Sequence, residues 1–299
     1  MTKLLLTGSN GFLGKNILSL LEDDGYAVTT LDIANSNINS NLSKEIPCFS
    51  ESYDIVLHTA GKAHSVPRNE ADVNAFFDVN FKGTQRLCSG LEKSGLPRSF
   101  IFISTVAVYG CDFGENITED HHLNGSCPYA LSKIQAECFL IDWAKKNNII
   151  LTILRPSLIA GKNPPGNLGA MINGIKTGKY LNIGGGRARK SLLMAEDIAN
   201  LISKTSQLGG IYNVCSNHNP SFYELEQLIA QQLNKRSPRT IPYGIAKFIA
   251  LLGDLMGSKA PLNSEKLTKI TKSLTFCNQK AREQLNWKPL DVLTNFKIS

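Results

Sequence analysis

The N-terminal run Lys3-Leu4-Leu5-Leu6-Thr7 passes directly into Gly8-Ser9-Asn10-Gly11-Phe12-Leu13-Gly14, and no other stretch limits the fold as strongly. An apolar strand ends in three glycines spaced three apart, and an apolar-periodic helix begins beside them. The G-x-x-G-x-x-G spacing differs from the commoner G-x-G-x-x-G but answers the same geometric needs. One glycine makes the tight turn, one lets backbone N–H groups approach a pyrophosphate, and one lets the helix pack closely on the strand. A glycine triplet alone is weak evidence, because a plain strand-to-helix turn would read the same way. Asp32 strengthens it: 18 residues beyond Gly14, at the end of the second apolar run, it can accept hydrogen bonds from adenosine ribose hydroxyls. A carboxylate there repels a 2′-phosphate, and no Arg or Lys lies between Asp32 and Lys44. The expected cofactor is therefore NAD rather than NADP.

The first half of the chain alternates short apolar runs with helical stretches, the pattern of a parallel sheet flanked by helices. Strands are expected at Lys3–Thr7, Ala27–Asp32, Ile55–Thr59, Ser99–Ser104 and Ile150–Arg155, with helices at Gly11–Asp23, Asn74–Ser94 and Pro128–Asn147. After Arg155-Pro156 the texture changes. Gly and Pro gather at Gly161–Gly169 and at Gly184-Gly185-Gly186, which read as loops. A strand at Gly210–Val214 and helices near Phe222–Leu233 and Gly244–Met256 follow. The expected fold class is α/β, a Rossmann-like doubly wound parallel sheet with a smaller C-terminal α/β substrate-binding lobe. Residues 1–160 form the NAD-binding part, with segments near 188–215 returning to it. Residues 161–299 form mainly the second lobe, and the terminal Leu285-Asn286-Trp287-Lys288-Pro289 reads as part of a small capping domain.

Composition excludes several classes. Among 299 residues, 42% hydrophobic, no run of about 18 apolar residues occurs, so no membrane partner is expected. The N-terminal apolar run is too short for a signal-peptide core. Seven cysteines lie singly with no Cys-x-x-Cys pair, which fits reduced thiols in a cytoplasmic protein and no metal site. The net charge of +7 is spread along the chain, with small excesses at Arg187-Ala188-Arg189-Lys190 and around 259–272. A mild surplus of this kind suits anionic small ligands and implies no nucleic acid.

Pro128-Tyr129-Ala130-Leu131-Ser132-Lys133 places a phenol and an ammonium on one face of a helix. A free phenol titrates near ~10, so basic behaviour at pH 7 needs a drop of roughly 3 units, and a neighbouring cation is the direct way to supply it. The spacing alone is common on surface helices. Thr105, a hydroxyl at the end of the strand leading into Val106-Ala107-Val108-Tyr109-Gly110, gives it company.

Together with Asp54-Ile55-Val56-Leu57-His58-Thr59-Ala60-Gly61, Val79-Asn80, Gly83-Thr84 and Arg155-Pro156, these motifs make the chain resemble the extended short-chain dehydrogenase/reductase family. The match lies in its nucleotide-sugar epimerase/dehydratase branch. That resemblance implies that Tyr129 is the acid/base on a sugar hydroxyl. Lys133 would depress its pKa and bind the nicotinamide ribose, and Thr105 would hydrogen-bond the reacting oxygen. It further implies cofactor contacts at Gly8, Asn10, Gly11, Phe12, Leu13, Gly14, Asp32, Ala60, Gly61, Asn80, Ser104, Pro156 and Ser157. Asn167 matches a substrate-phosphate asparagine. Lys190 falls where relatives carry arginine and lacks the planar fork for bidentate phosphate contact, which Arg187 or Arg189 could replace. His64 has no motif support as a base and reads as structural or as a wall of the substrate pocket.

Within the family, 4,6-dehydratases carry Asp-Glu directly after the catalytic Thr. Here Val106 and Ala107 occupy those places and move no protons. The expected activity is an NAD-dependent 4-epimerase of a UDP-hexose or UDP-N-acetylhexosamine. One alternative is an NAD(P)H-dependent reductase of a UDP-4-keto-6-deoxy-hexosamine in surface-polysaccharide sugar synthesis, and another is a non-catalytic NAD-binding regulator. The resemblance also implies a homodimer through the helices around 74–94 and 128–147.

Overall fold

Seven strands build one parallel sheet because their apolar residues alternate between two buried faces. The structure, a computed structural model, describes residues 1–63, 65–255, 260 and 262–298. The strands are β1 (Lys3–Thr7), β2 (Ala27–Asp32), β3 (Ile38–Asn39), β4 (Ile55–His58), β5 (Ser99–Ile103), β7 (Ile150–Pro156) and β11 (Gly210–Val214). They lie side by side in the order β3-β2-β1-β4-β5-β7-β11. Leu4, Leu6, Ile55, Leu57, Ile101 and Ile103 face one layer. Leu5, Val56, Phe100 and Phe102 face the other. Both faces are covered, as parallel sheets require.

Helices α1 (Phe12–Asp23) and α6 (Ala195–Leu208) cover the first face, through residues such as Ile17, Leu21, Ile198 and Ile202. Helices α3 (Gly83–Ser94) and α4 (Pro128–Asn147) cover the second, through Leu87, Leu91, Leu140 and Trp143. The chain builds outward from β1 to β3, then crosses back to β4 on the other side of β1. A ligand crevice forms at such a reversal, beyond the carboxyl ends of the strands. Gly8, Asp32, Ala60, Thr105 and Ser157 all follow or end these strands.

The remaining strands form short parallel pairs: β6 (Gly114–Ile117) with β13 (Leu274–Phe276), β8 (Leu158–Ala160) with β10 (Leu192–Met194), and β9 (Leu181–Ile183) with β12 (Arg239–Ile241). Helices α5 (Gly166–Lys176), α7 (Phe222–Gln232) and α11 (Val292–Asn295) share a separate core of Leu168, Met171, Leu225, Ile229 and Phe296. Ser221 and Glu224 close a reciprocal cap on α7. Helices α8 (Tyr243–Asp254) and α9 (Ser264–Thr271) pack on each other, and α10 (Gln279–Gln284) leads to the C-terminus.

Three local expectations change. The single helix expected over Asn74–Ser94 is instead α2 (Glu70–Phe77), a π-helical turn at Asp78–Lys82, and α3. The loop expected over Gly161–Gly169 gives way to α5 at Gly166, because Pro165 precedes the helix and Gly169 packs against the Pro164 carbonyl, where a Cβ would come within 2.2 Å. Ala281, Leu285 and Trp287 pack into the sheet core beside α1 and α6 rather than standing in a separate cap. The expected helix end at Met256 lies outside the described residues.

Candidate active site

The glycine turn is held from both sides. Gly8 sits at φ +72°, and a Cβ there would meet the Ala60 backbone at 2.6 Å, so the ends of β1 and β4 touch beneath the crevice. Gly14 is equally confined, since a Cβ would lie 2.4 Å from the Gly8 carbonyl oxygen. The Asp32 carboxylate accepts from the backbone N–H of Asn10 at 2.8 Å and of Ile33 at 2.7 Å. Asn10 in turn donates its side-chain amide to the carbonyls of Ala34 and Asn35. Phe12 and Leu13 open α1 on the far side of the turn. Among the described residues no ion pair involves Asp32, so its remaining lone pairs stay available.

Thr105, Tyr129 and Lys133 meet at the carboxyl end of β5. Thr105 caps a short 3-10 turn over Val106–Tyr109, its Oγ1 accepting from Ala107 N–H at 3.1 Å. Cys127 and Pro128 start α4, which puts Tyr129 in its first turn and Lys133 one turn further. The Tyr129 ring lies 6.2 Å from that of Phe76, centre to centre. Loss of solvent pushes the phenol up to about 12, and a hydrogen bond with Thr105 pulls the other way. Loss of solvent is the larger of these two influences. Lys133 donates its Nζ to the Ile103 carbonyl at 2.8 Å and lies over the Phe102 ring, and burial brings its own pKa down to about 8.

Asn80, expected near the cofactor, spends its side chain on the protein. Its amide donates to the Lys62 carbonyl at 3.0 Å and to Ser132 Oγ at 2.9 Å, while its oxygen accepts from Lys62 N–H at 2.7 Å. Ser132 then donates to the Tyr129 carbonyl at 2.8 Å. Asn80 thus ties the loop after β4 to the first turn of α4. Gly61 passes between them: a Cβ there would crowd Asn80 Oδ1 at 3.2 Å and Lys133 Nζ at 3.3 Å.

His58 belongs to the same construction and was noticed in the sequence only as part of a motif. Thr84 donates its hydroxyl to the Asn80 carbonyl at 2.7 Å, so it receives the Nε2–H of His58 at 2.9 Å. The other ring nitrogen then accepts from Thr7 Oγ1 at 2.6 Å. Burial and nearby Lys133 lower the imidazole to about 3, so His58 is neutral. It stacks on Phe102, the ring under the Lys133 ammonium.

Ser104 also departs from expectation. Its hydroxyl donates to Glu137, a buried carboxylate that pairs with Arg155 at 2.6 and 3.1 Å. Tyr109 joins this group, donating to Asn213 at 2.6 Å and accepting from Arg155 at 3.0 Å. Ser157 behaves oppositely: beside Pro156 at the end of β7 it is buried, and its Oγ has no partner. An orphaned hydroxyl, the Gly61 gap and the glycine cradle together fit a dinucleotide lying along the crevice.

The substrate-side residues are less gathered. Asn167 occupies the first turn of α5, where backbone N–H groups favour anions. Lys190 donates its Nζ to the Lys272 carbonyl at 3.0 Å, and burial lowers its pKa to about 8. Arg189 is held by the Asn219 carbonyl and by Glu224, whereas Arg187 makes no ion pair among the described residues. His64 lies outside the described residues.

Comparison with known proteins agrees with this architecture. The model of the NAD dependent epimerase/dehydratase family matches residues 4–215. The chain is 28% identical to UDP-glucose 4-epimerase of Vibrio cholerae, over 97% of this chain and 92% of that protein. It is 27% identical to the N-acetyl-alpha-D-glucosaminyl-diphospho-ditrans,octacis-undecaprenol 4-epimerase of Escherichia coli O157:H7, over 91% and 86%. Among solved structures, UDP-glucose 4-epimerase from Thermotoga maritima with UDP-glucose superposes with a TM-score of 0.73 at 20% identity, covering 98% of this chain and 95% of that one.

Proposed function

Because the chain belongs to the NAD dependent epimerase/dehydratase family, we propose that it is a 4-epimerase of a diphosphate-linked hexose or N-acetylhexosamine, UDP-linked in the first instance. The observation that carries this reading is the hydrogen-bonded Thr105 and Tyr129 at the carboxyl end of β5, with apolar Val106 and Ala107 following Thr105. In this reading Thr105 and Tyr129 supply an acid/base pair there, and Val106 and Ala107 offer no group able to expel water from a neighbouring carbon.

The cofactor is NAD, which when bound supplies a hydride acceptor that gives the hydride back, so no net oxidation results. Gly8, Gly11 and Gly14, with Asn10, Phe12 and Leu13, hold its pyrophosphate. Asp32 takes the adenosine ribose, and Ala60, Gly61, Pro156 and Ser157 line the remaining crevice. Thr105 orients the C4 hydroxyl, and Tyr129 removes and then returns its proton. Lys133, pointed by Ile103 and Phe102, provides the positive charge that favours the phenolate over the phenol. Asn80 and Ser104 act from behind the site as positioning residues. Asn167 and Arg187 are read as diphosphate contacts, with Lys190 contributing charge from the Lys272 loop.

The enzyme also forms a homodimer in this reading, through α2–α3 and α4, where Leu131 and Ile141 stay exposed. The relative from Escherichia coli is named for a sugar on a polyprenyl diphosphate. The diphosphate is common to both carriers, so Asn167 and Arg187 serve either. Incubating the protein with UDP-glucose and UDP-N-acetylglucosamine, with NAD but no reductant, tests the proposal by NMR of the C4 centre. A C4 epimer is expected. No epimer, together with stoichiometric NADH consumption on a UDP-4-keto-6-deoxy sugar, would establish the reductase instead.

A further inference from the structure

Helix α8 is built inside out. The residues it buries are small, Ala246, Ala250 and Gly253, spaced four and three apart as one helix face requires. Gly253 lies so close to the chain after Lys259 that a Cβ would come within 1.9 Å of the Leu262 carbonyl oxygen. The large apolar residues point away from the protein. Ile245, Phe248, Ile249, Leu251, Leu252 and Leu255 are all exposed, Phe248 by 64% and Leu255 by 87%. A surface helix normally turns such residues inward, and a contiguous outward patch of them marks an interaction site.

The surrounding charge indicates what covers it. Between residues 235 and 272 the chain carries eight Lys and Arg against two acids, a net +6 out of +7 for the whole protein. Lys235, Arg236 and Arg239 stand exposed immediately before the helix, and Lys247 is exposed on it. None of these four makes an ion pair among the described residues. Both acids are already engaged, Asp254 with Ser264 and Glu265 with Lys269. A second copy of this chain docking through the same face would set these cations against their own images. An anionic lipid surface opposes them with phosphates and accepts the aliphatic face between its headgroups.

We propose that α8 is an interfacial membrane anchor: it lies in the headgroup region of an anionic bilayer, with the basic residues before and on it contacting lipid phosphates. The expectation of no membrane partner rested on the lack of a spanning segment, and among the described residues no helix is long and apolar enough to cross a bilayer. Lying on the surface needs no such length. Helix α9, which packs on α8, leads into Leu274, which bridges to Lys190.

Sedimentation of the full chain with vesicles tests this independently of the reaction it catalyses. The probes are large vesicles of phosphatidylethanolamine and phosphatidylglycerol (3:1), against pure phosphatidylcholine, in about 0.1 M salt. Partitioning at least about tenfold stronger into the anionic vesicles is expected, and it should weaken in about 1 M salt. The double variant Phe248→Ser/Leu252→Ser should lose on the order of tenfold or more of that partitioning while its circular dichroism and turnover of a soluble substrate stay unchanged. Arg239→Glu/Lys247→Glu should lose a similar factor on anionic vesicles only. Wild-type protein that ignores both vesicle types would overturn the proposal, as would a double variant that binds like the parent. A wild-type dimer that becomes monomeric in Phe248→Ser/Leu252→Ser, without vesicle binding, would assign the face to a second copy.

Discussion

Two buried charges on α4 stand one helical turn apart and are treated in opposite ways. Glu137 is matched by a bidentate Arg155 and by the Ser104 hydroxyl. Lys133 has a carbonyl oxygen and an aromatic face as its direct contacts, and the Glu137 charge only offsets part of its burial. At the first site each partner offsets the other's desolvation, so charge is retained at little net cost and holds β5, α4 and β7 together. At the second, the ammonium is left short of counter-charge, and its pKa has fallen to about 8. A site short of negative charge is one a ligand or a transient phenolate can complete. The contrast separates a group that fixes the scaffold from one kept ready for chemistry.

The contrast can be broken at either end. Glu137→Ala should be the most damaging change, because it strands a buried guanidinium; a loss of about 4 kcal/mol is expected in urea unfolding. A loss under about 1 kcal/mol would mean that water reaches Arg155. Tyr129→Phe should lower kcat on the order of a thousandfold and leave unfolding and NAD affinity nearly unchanged. Activity within tenfold of the parent would remove Tyr129 from the chemistry.

Lys133→Met should also abolish turnover, yet it should stabilise the fold by about 3 kcal/mol at pH 7. The sign follows from the lowered pKa. Between about 8 and the ordinary 10.5 the unfolded chain holds the proton and the folded chain does not, so parent stability rises with pH across that window. The variant's advantage should therefore be full below pH 8 and fade by about pH 10.5. A pH-independent difference would count against a buried, undercompensated ammonium. Thr84→Val, which removes the acceptor for His58 and the donor to Asn80, should cost about 1 kcal/mol, the smallest effect of the set.

Much of the sheet was readable from sequence. β1, β2 and β11 fall on their expected residues, and β4, β5 and β7 differ only at an end, because apolar runs bounded by glycine or proline have few other uses. Thr105, Tyr129 and Lys133 were legible through spacing and company. Glu137 and Arg155 were not, since nothing in an 18-residue separation announces an ion pair. Nor was the upward displacement of the Tyr129 pKa, which depends on how much solvent the fold removes and not on neighbours in sequence. The hydrogen bonds of Ser104 to Glu137 and of Asn80 to Lys62 and Ser132 were not foreseen, because a motif gives position but not the direction of a hydrogen bond. α8 was found as a helix, yet its exposed face needed coordinates: Ala246, Ala250 and Gly253 are too inconspicuous to be taken for the buried side.

The π-helical turn at Asp78–Lys82 makes the spacing between α2 and α3 depend on a single residue. One extra residue there brings Asn80 round to Lys62 and Ser132 while Leu87 and Leu91 still face the sheet. Deleting one residue within 78–82 would restore an ordinary helix and rotate everything beyond it by about 100°. Either the Asn80 tether or the α3 packing would then be lost. This stretch should therefore tolerate substitution far better than any change in its length.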